Sequence, residues 1–146
     1  MKIIKLTIIL LFALLGMGSA AAQDNAKARA FEGRVYNEEF KVFIVMNAYD
    51  QDIVVPGQEI FGEMAGYFRS DDDARCWLIT SMKVAENGSS AKLSFTNDYG
   101  SEDLTATLTI RKDGTYELKQ IEGSTLKIAR KNKWVKMPKT LTFKKS

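Results

Sequence analysis

The chain has 146 residues, with 21 Lys and Arg against 18 Asp and Glu, a single Cys and no His. Without histidine there is no Ser-His-Asp or Cys-His constellation and no histidine-ligated zinc site, and one cysteine cannot form an intramolecular disulfide. The sequence also contains neither a G-x-x-x-x-G-K-[ST] phosphate loop nor a G-x-G-x-x-G fingerprint. These features argue against most common hydrolases and nucleotide enzymes, and no catalytic residue, metal site or cofactor is predicted.

The first 22 residues have the three parts of a secretory signal peptide. Lys2 and Lys5 give a positive start, Leu6–Leu15 is apolar, and small residues lead to Ala20-Ala21-Ala22. We predict cleavage after Ala22, which leaves one domain at 23–146, or 146 − 22 = 124 residues. The apolar run is shorter than the ~20 residues of a spanning helix. We therefore predict an exported protein, periplasmic or extracellular, that does not span the membrane.

Phe40–Met46 is the most continuous apolar run after the signal peptide and is predicted as a strand covered on both faces. Alternation along it places the even-numbered residues in the interior and points Phe43 and Val45 outward. That outer apolar face needs a cover, from the lead at 23–30, from a later segment or from another molecule. If it were bare, Phe43 and Val45 would form a candidate exposed apolar face for a partner.

Strands and turns are predicted along the rest of the chain. Ile60–Phe68 is predicted as a strand in which Gly62 and Gly66 mark a bulge or tight bend. Cys76 is expected to be a small buried apolar residue, because no histidine is present to activate its thiol. The remaining predicted strands are Phe31–Tyr36, Ile53–Val55 before the breaker pair Pro56-Gly57, Trp77–Val84, three alternating segments around Leu93, Leu104 and Tyr116, Leu126–Ala129 and Leu141–Phe143.

About nine or ten short strands, with turn signals roughly every ten residues and no amphipathic helix, predict an all-β domain. The preferred architecture is a single antiparallel β-barrel of about eight strands, and the alternative is a two-sheet β-sandwich. The size and strand rhythm from Phe31 to Phe143 resemble the calycin-type barrels, the lipocalin and fatty-acid-binding group. Lipocalins carry G-x-W near the first strand, where this chain has Gly33-Arg34-Val35. The resemblance thus implies a barrel and transfers no functional residue.

Acidic residues offer two further chemistries. Glu59 with Glu63, or Glu102 with Asp103, would supply the paired carboxylates of a hydrolase, although their spacing implies no shared cleft. Asp71–Asp73 supplies oxygen ligands of the kind calcium prefers, but without the spacing of an EF-hand. Solvated strand ends and a polar turn between strands are the favoured interpretations of these residues.

Positive charge is concentrated near the C-terminus, because Ser124–Ser146 holds eight Lys and Arg and no Asp or Glu. Basic residues interleaved with an aromatic can bind nucleic acid, anionic glycans or a membrane surface, and export argues against nucleic acid. The structural alternative is a protruding hairpin or edge strand that lysines guard against strand pairing. The candidate partner-binding residues are Arg130, Lys131, Lys133, Trp134 and Lys136.

Three functions follow as hypotheses. The first is a non-catalytic exported binding protein that holds a small apolar or amphipathic ligand inside the barrel. The alternative is a protein-interaction or inhibitor module that uses the basic segment at 130–139 against an acidic partner. A carboxylate-dependent hydrolase is the third.

Overall fold

A computed structural model describes residues 29–146. The predicted signal peptide lies outside these residues, as does the predicted lead up to residue 28. The described chain contains twelve strands and one short 3-10 helix at Glu59–Phe61. The strands are β1 (Glu32–Asn37), β2 (Val42–Asn47), β3 (Ile53–Val54), β4 (Glu63–Met64), β5 (Gly66–Ser70), β6 (Cys76–Val84), β7 (Ser90–Asn97), β8 (Asp103–Ile110), β9 (Tyr116–Gly123), β10 (Lys127–Arg130), β11 (Lys133–Lys136) and β12 (Thr140–Lys145).

Eight of these strands close into an antiparallel barrel in the order β1-β2-β5-β6-β7-β8-β9-β12. Each barrel strand pairs with the next one along the chain, and β12 returns to pair with β1, where Val35 lies opposite Lys145. The remaining strands form two separate hairpins, β3-β4 and β10-β11. The predicted all-β class and the eight-stranded barrel are therefore confirmed, and the sheet closes on itself where a sandwich would leave two sheets.

Apolar residues from all eight barrel strands fill the interior. β7 and β8 show the pattern most clearly, because buried and more exposed residues alternate along both. Four phenylalanines are fully buried in this core, together with large aliphatic side chains. They are Phe31, Phe68, Phe95 and Phe143, with Ile44, Ile79, Leu93, Leu108 and Leu118. Side chains of the chain itself thus occupy the space that a hollow barrel would leave open.

A second apolar cluster lies on the outer face of the barrel. Phe43 is only 8% exposed there and Val45 is half-buried, while the even-numbered residues of the same strand belong to the interior core. The predicted alternation is confirmed. The cover is a later segment of the chain, the β3-β4 hairpin, whose Ile53, Val55 and Met64 pack against this face. A guanidinium also covers it, since Arg34 Cζ lies 4.5 Å from the centroid of the Phe43 ring.

The predicted strand Ile60–Phe68 is wrong at its start, and the rest is divided between β4 of the outer hairpin and β5 of the barrel. A 3-10 helix ends at Phe61, Gly62 has a φ of 74°, and the barrel strand starts only at Gly66. A side chain at Gly66 would clash with the backbone of β2, so this glycine allows the two strands to approach. Phe40 also lies outside its predicted strand, because Lys41 has a φ of 54° in the turn before β2. No helix among the described residues is long and apolar enough to cross a membrane.

Candidate functional site: the basic hairpin

The segment between β9 and β12 carries the candidate site, a hairpin that we call the basic hairpin (Lys127–Lys136). Its strands β10 and β11 pair from Lys127 opposite Lys136 to Arg130 opposite Lys133. The two residues between them, Lys131 and Asn132, both have positive φ, 52° and 62°. A two-residue turn of this type matches the twist of the strands it joins, and asparagine tolerates the left-handed conformation well. The hairpin predicted as the structural alternative for this segment is therefore present.

Apolar residues at the base of the basic hairpin attach it to the barrel. Leu126, Ile128 and Met137 are buried and belong to the interior core. Trp77 of β6 donates a hydrogen bond from its indole N–H to the Lys127 carbonyl, at 3.0 Å. Buried apolar residues and this hydrogen bond thus fix the hairpin at one end of the barrel.

Gln120 of β9 holds both ends of the segment that carries the basic hairpin. Its Oε1 accepts a hydrogen bond from the Leu126 N–H at 2.8 Å, and its Nε2 donates to the Pro138 carbonyl at 2.9 Å. The backbone N–H of Gln120 also donates to the Lys139 carbonyl, at 2.9 Å. One buried amide therefore joins the chain where it enters the hairpin to the chain where it leaves.

The structure separates Arg130 from the other predicted partner-binding residues. Arg130 is half-buried, and its Nη2 donates to the Phe40 carbonyl at 2.5 Å, so its side chain is directed toward the barrel. Lys131, Lys133 and Lys136 are exposed, and none of the three makes an ion pair with another described residue. The basic hairpin thus presents three unpaired ammonium groups to solvent.

Trp134 is 46% exposed and lies between two cations of the same end of the barrel. Arg75 Cζ is 5.3 Å and Lys127 Nζ 5.2 Å from the ring centroid, within the range of cation–π attraction. Both cations are themselves held by carboxylates, Arg75 by Asp73 at 2.7 Å and Lys127 by Glu102 at 2.8 Å. The indole ring is therefore oriented before any partner arrives.

The two ion pairs next to Trp134 shift the pKa values of Asp73 and Lys127. The hydrogen bond from Arg75 lowers the pKa of Asp73 to about 2, and the hydrogen bond to Glu102 raises the pKa of Lys127. At neutral pH both pairs are consequently charged. Their charges compensate each other, so the net positive charge of the surface comes from Lys131, Lys133 and Lys136.

Sequence reasoning did not identify the residues that surround Trp134. Arg75 comes from the turn between β5 and β6, and Tyr99 comes from the turn between β7 and β8. With Trp134, Lys127 and Asp98 they line a narrow cleft at the foot of the basic hairpin. A tyrosine and an arginine in two polar turns give no signal of their own in the sequence. The antiparallel barrel places these turns and the hairpin at the same end, so they meet only in the tertiary structure.

The acidic candidates have structural partners or lie apart. Asp71 accepts a hydrogen bond from the Tyr36 hydroxyl at 2.5 Å, while Glu59 and Glu63 are both exposed. Glu102 is bound to Lys127 as described, and its neighbour Asp103 is exposed at the start of β8. Within residues 29–146, no group of three or more His, Cys, Asp or Glu residues is arranged to hold a metal ion.

Cys76 lies in the outer apolar cluster and is buried. Burial, with a smaller contribution from the nearby Asp98 carboxylate, raises the pKa of its thiol to about 11. At neutral pH the group is therefore the protonated thiol, whereas nucleophilic attack requires the thiolate.

Comparisons of this chain with protein-family models, with curated proteins and with solved structures found no match. The interpretation of the site therefore depends on its geometry alone.

Proposed function

We propose that this protein is an exported, non-catalytic binding protein that captures an acidic protein partner through the basic hairpin. The observation that carries the proposal is the exposure of the whole of β11, where every residue from Lys133 to Lys136 faces solvent. This strand combines unpaired lysines with an aromatic ring that is already oriented. Tryptophan and arginine are enriched among the residues that contribute most of the binding energy at protein interfaces.

The interior of the barrel supports this choice over a small ligand held inside. The core contains four fully buried phenylalanines, and apolar side chains of the basic hairpin close one end of it. A ligand of several heavy atoms would have to displace these side chains, and overpacking a filled core costs about 1–3 kcal/mol even for a few added methylene groups. A surface site requires no such displacement.

Charge complementarity defines the class of partner. The region from Ser124 to Ser146 has no acidic residue, and the three exposed lysines of the basic hairpin are free to pair with carboxylates. Such surfaces accelerate association and select partners of opposite charge, and their effect weakens as salt increases. The expected partner is thus an acidic protein surface, and binding should weaken with ionic strength.

A charge-reversal experiment tests this proposal. The probe is poly-L-glutamate, and binding is followed through tryptophan fluorescence at low ionic strength. K131E, K133E and K136E combined should weaken binding about a hundredfold, because each exposed lysine contributes up to ~1 kcal/mol. The matched control combines K83E, K92E and K112E, three exposed lysines elsewhere on the barrel. Equal losses in the two variants would mean that net charge, and not the hairpin, determines binding.

Two measurements address the remaining parts of the proposal. Expression of the full chain in a secreting host should yield a protein that begins at Gln23, as read by N-terminal sequencing, and an intact N-terminus would contradict export by a cleaved signal.

Native mass spectrometry of the purified protein should give the mass of the polypeptide alone. A retained small molecule would instead favour the ligand-holding barrel.

A further inference from the structure

The outer edge of β11 carries backbone groups that the fold does not use. In an antiparallel hairpin, alternate residue pairs exchange both backbone hydrogen bonds, and the residues between them point their N–H and C=O groups outward. The Met137 N–H donates to the Leu126 carbonyl at 2.8 Å, which fixes this alternation. The pairs that exchange backbone hydrogen bonds are then Val135 with Ile128 and Lys133 with Arg130. Trp134 and Lys136 therefore direct their backbone groups away from β10.

An independent contact agrees with this assignment. The same alternation directs the Lys127 carbonyl away from β11, and that carbonyl accepts the hydrogen bond from Trp77 at 3.0 Å. On the β11 side, the N–H and C=O groups of Trp134 and Lys136 have no hydrogen-bond partner among the described residues. Two donors and two acceptors thus line an exposed edge, which is the arrangement that accepts an added strand.

The side chains along this edge define what an added strand should carry. Directly opposed residues of adjacent strands lie on the same face and interact. Lys133 and Lys136 lie at the ends of β11, with Trp134 and Val135 between them. A complementary strand consequently has an acidic residue at each end and two apolar residues in the middle. A second copy of β11 would oppose lysine to lysine, so self-pairing is disfavoured.

We propose that the acidic partner contributes an extended segment of the pattern acidic–apolar–apolar–acidic, which adds to the free edge of β11 as a third strand of the basic hairpin. This inference rests on the proposed function and specifies its binding mode. Carboxylates at the two ends pair with Lys133 and Lys136, and the apolar residues cover Trp134 and Val135. The backbone hydrogen bonds supply affinity that does not depend on charge.

Backbone methylation of a synthetic peptide tests strand addition without altering the protein. The probe is the peptide Ser-Ser-Glu-Val-Val-Glu-Ser-Ser, titrated against the full-length mature protein by tryptophan fluorescence. In either strand direction, the second valine directs its N–H toward β11 and the first valine directs its N–H away. N-methylation of the second valine should weaken binding at least tenfold. The matched peptide, methylated at the first valine, should bind within about twofold of the parent.

The outcomes separate the binding mode from the proposed function. If both methylated peptides bind as well as the parent, and K133E with K136E abolishes binding of all three, strand addition is overturned and charge recognition by the hairpin stands. If dextran sulfate binds through the hairpin lysines and the peptide does not bind, both the strand and the protein partner are overturned in favour of an anionic polysaccharide. If neither probe binds the unmodified protein, the proposed function itself fails.

Discussion

Gln120 offers the sharpest test of how the basic hairpin is held in place. Replacement by methionine keeps the length of this side chain, which is only 7% exposed, and removes both of its hydrogen bonds. The Leu126 N–H, fully buried, loses its acceptor, which costs about 1–3 kcal/mol. The Pro138 carbonyl belongs to an exposed residue and can turn to water, so its loss adds about 1 kcal/mol.

These two losses predict that Gln120→Met lowers the free energy of unfolding by about 3 kcal/mol. For a domain of this size that corresponds to a decrease in Tm of roughly 10 °C. Thermal unfolding followed by circular dichroism measures the global effect. Amide hydrogen exchange measures the local one, and we expect the Leu126 amide and the β10 amides to lose more protection than those of β7 and β8.

Gln51→Met is the matched control for this experiment. Gln51 also donates two hydrogen bonds, to the Ala48 carbonyl at 3.2 Å and to the Met82 carbonyl at 2.9 Å, at the other end of the barrel. Its replacement should lower Tm while leaving the hairpin amides and peptide binding unchanged. Unaltered protection of the Leu126 amide in Gln120→Met would refute the idea that this side chain positions the hairpin.

Three further predictions concern the barrel and its charges. Gly66→Ala places a methyl group against the backbone of β2 and should lower the free energy of unfolding, measured by chemical denaturation, by about 3 kcal/mol. Gly88 has open space around it but a positive φ, so Gly88→Ala should lower the free energy of unfolding by only about 1 kcal/mol. Equal losses in the two variants would contradict the close approach of β5 and β2. Burial raises the pKa of the Cys76 thiol to about 11, so this thiol should resist a thiol reagent in the native protein and react after denaturation. Rapid labelling of the native protein would show instead that the thiol is accessible. Because Arg75 lowers the pKa of Asp73 from 3.8 to about 2, the contribution of this pair to stability is present above pH 4 and is lost as pH falls toward 2. The difference in free energy of unfolding between wild type and Asp73→Asn should therefore narrow over that interval. A constant difference would contradict the lowered pKa of Asp73.

The apolar pattern of the sequence determined the fold class and most of the barrel strands. Along β7 and β8, apolar and polar residues alternate so regularly that one face had to be buried. The same reasoning placed Phe43 and Val45 on the outer face of β2 and predicted that something covers them. Local composition suffices for these conclusions because strand periodicity is a property of neighbouring residues.

The tertiary structure decided what covers that face and where the chain departs from strand geometry. The β3-β4 hairpin supplies the cover through long-range packing, which no local pattern specifies. Ile60, predicted as part of a strand, is 92% exposed in a 3-10 helix, because Gly62 turns the chain before β5 begins. An apolar run therefore indicated a strand correctly at Val42–Met46 and only in part at Ile60–Phe68.

For the candidate site, the sequence determined the concentration of charge and the structure decided how it is used. Eight basic residues without an acidic one are visible by inspection. Which of them face solvent depends on contacts with the barrel, because Arg130 donates a hydrogen bond to the Phe40 carbonyl, whereas Lys133, directly opposite it, and Lys136 are exposed. The contact of Trp134 with Lys127 arises within the hairpin, whereas its contact with Arg75 depends on the tertiary structure, because the antiparallel barrel places the β5-β6 turn and the hairpin at the same end.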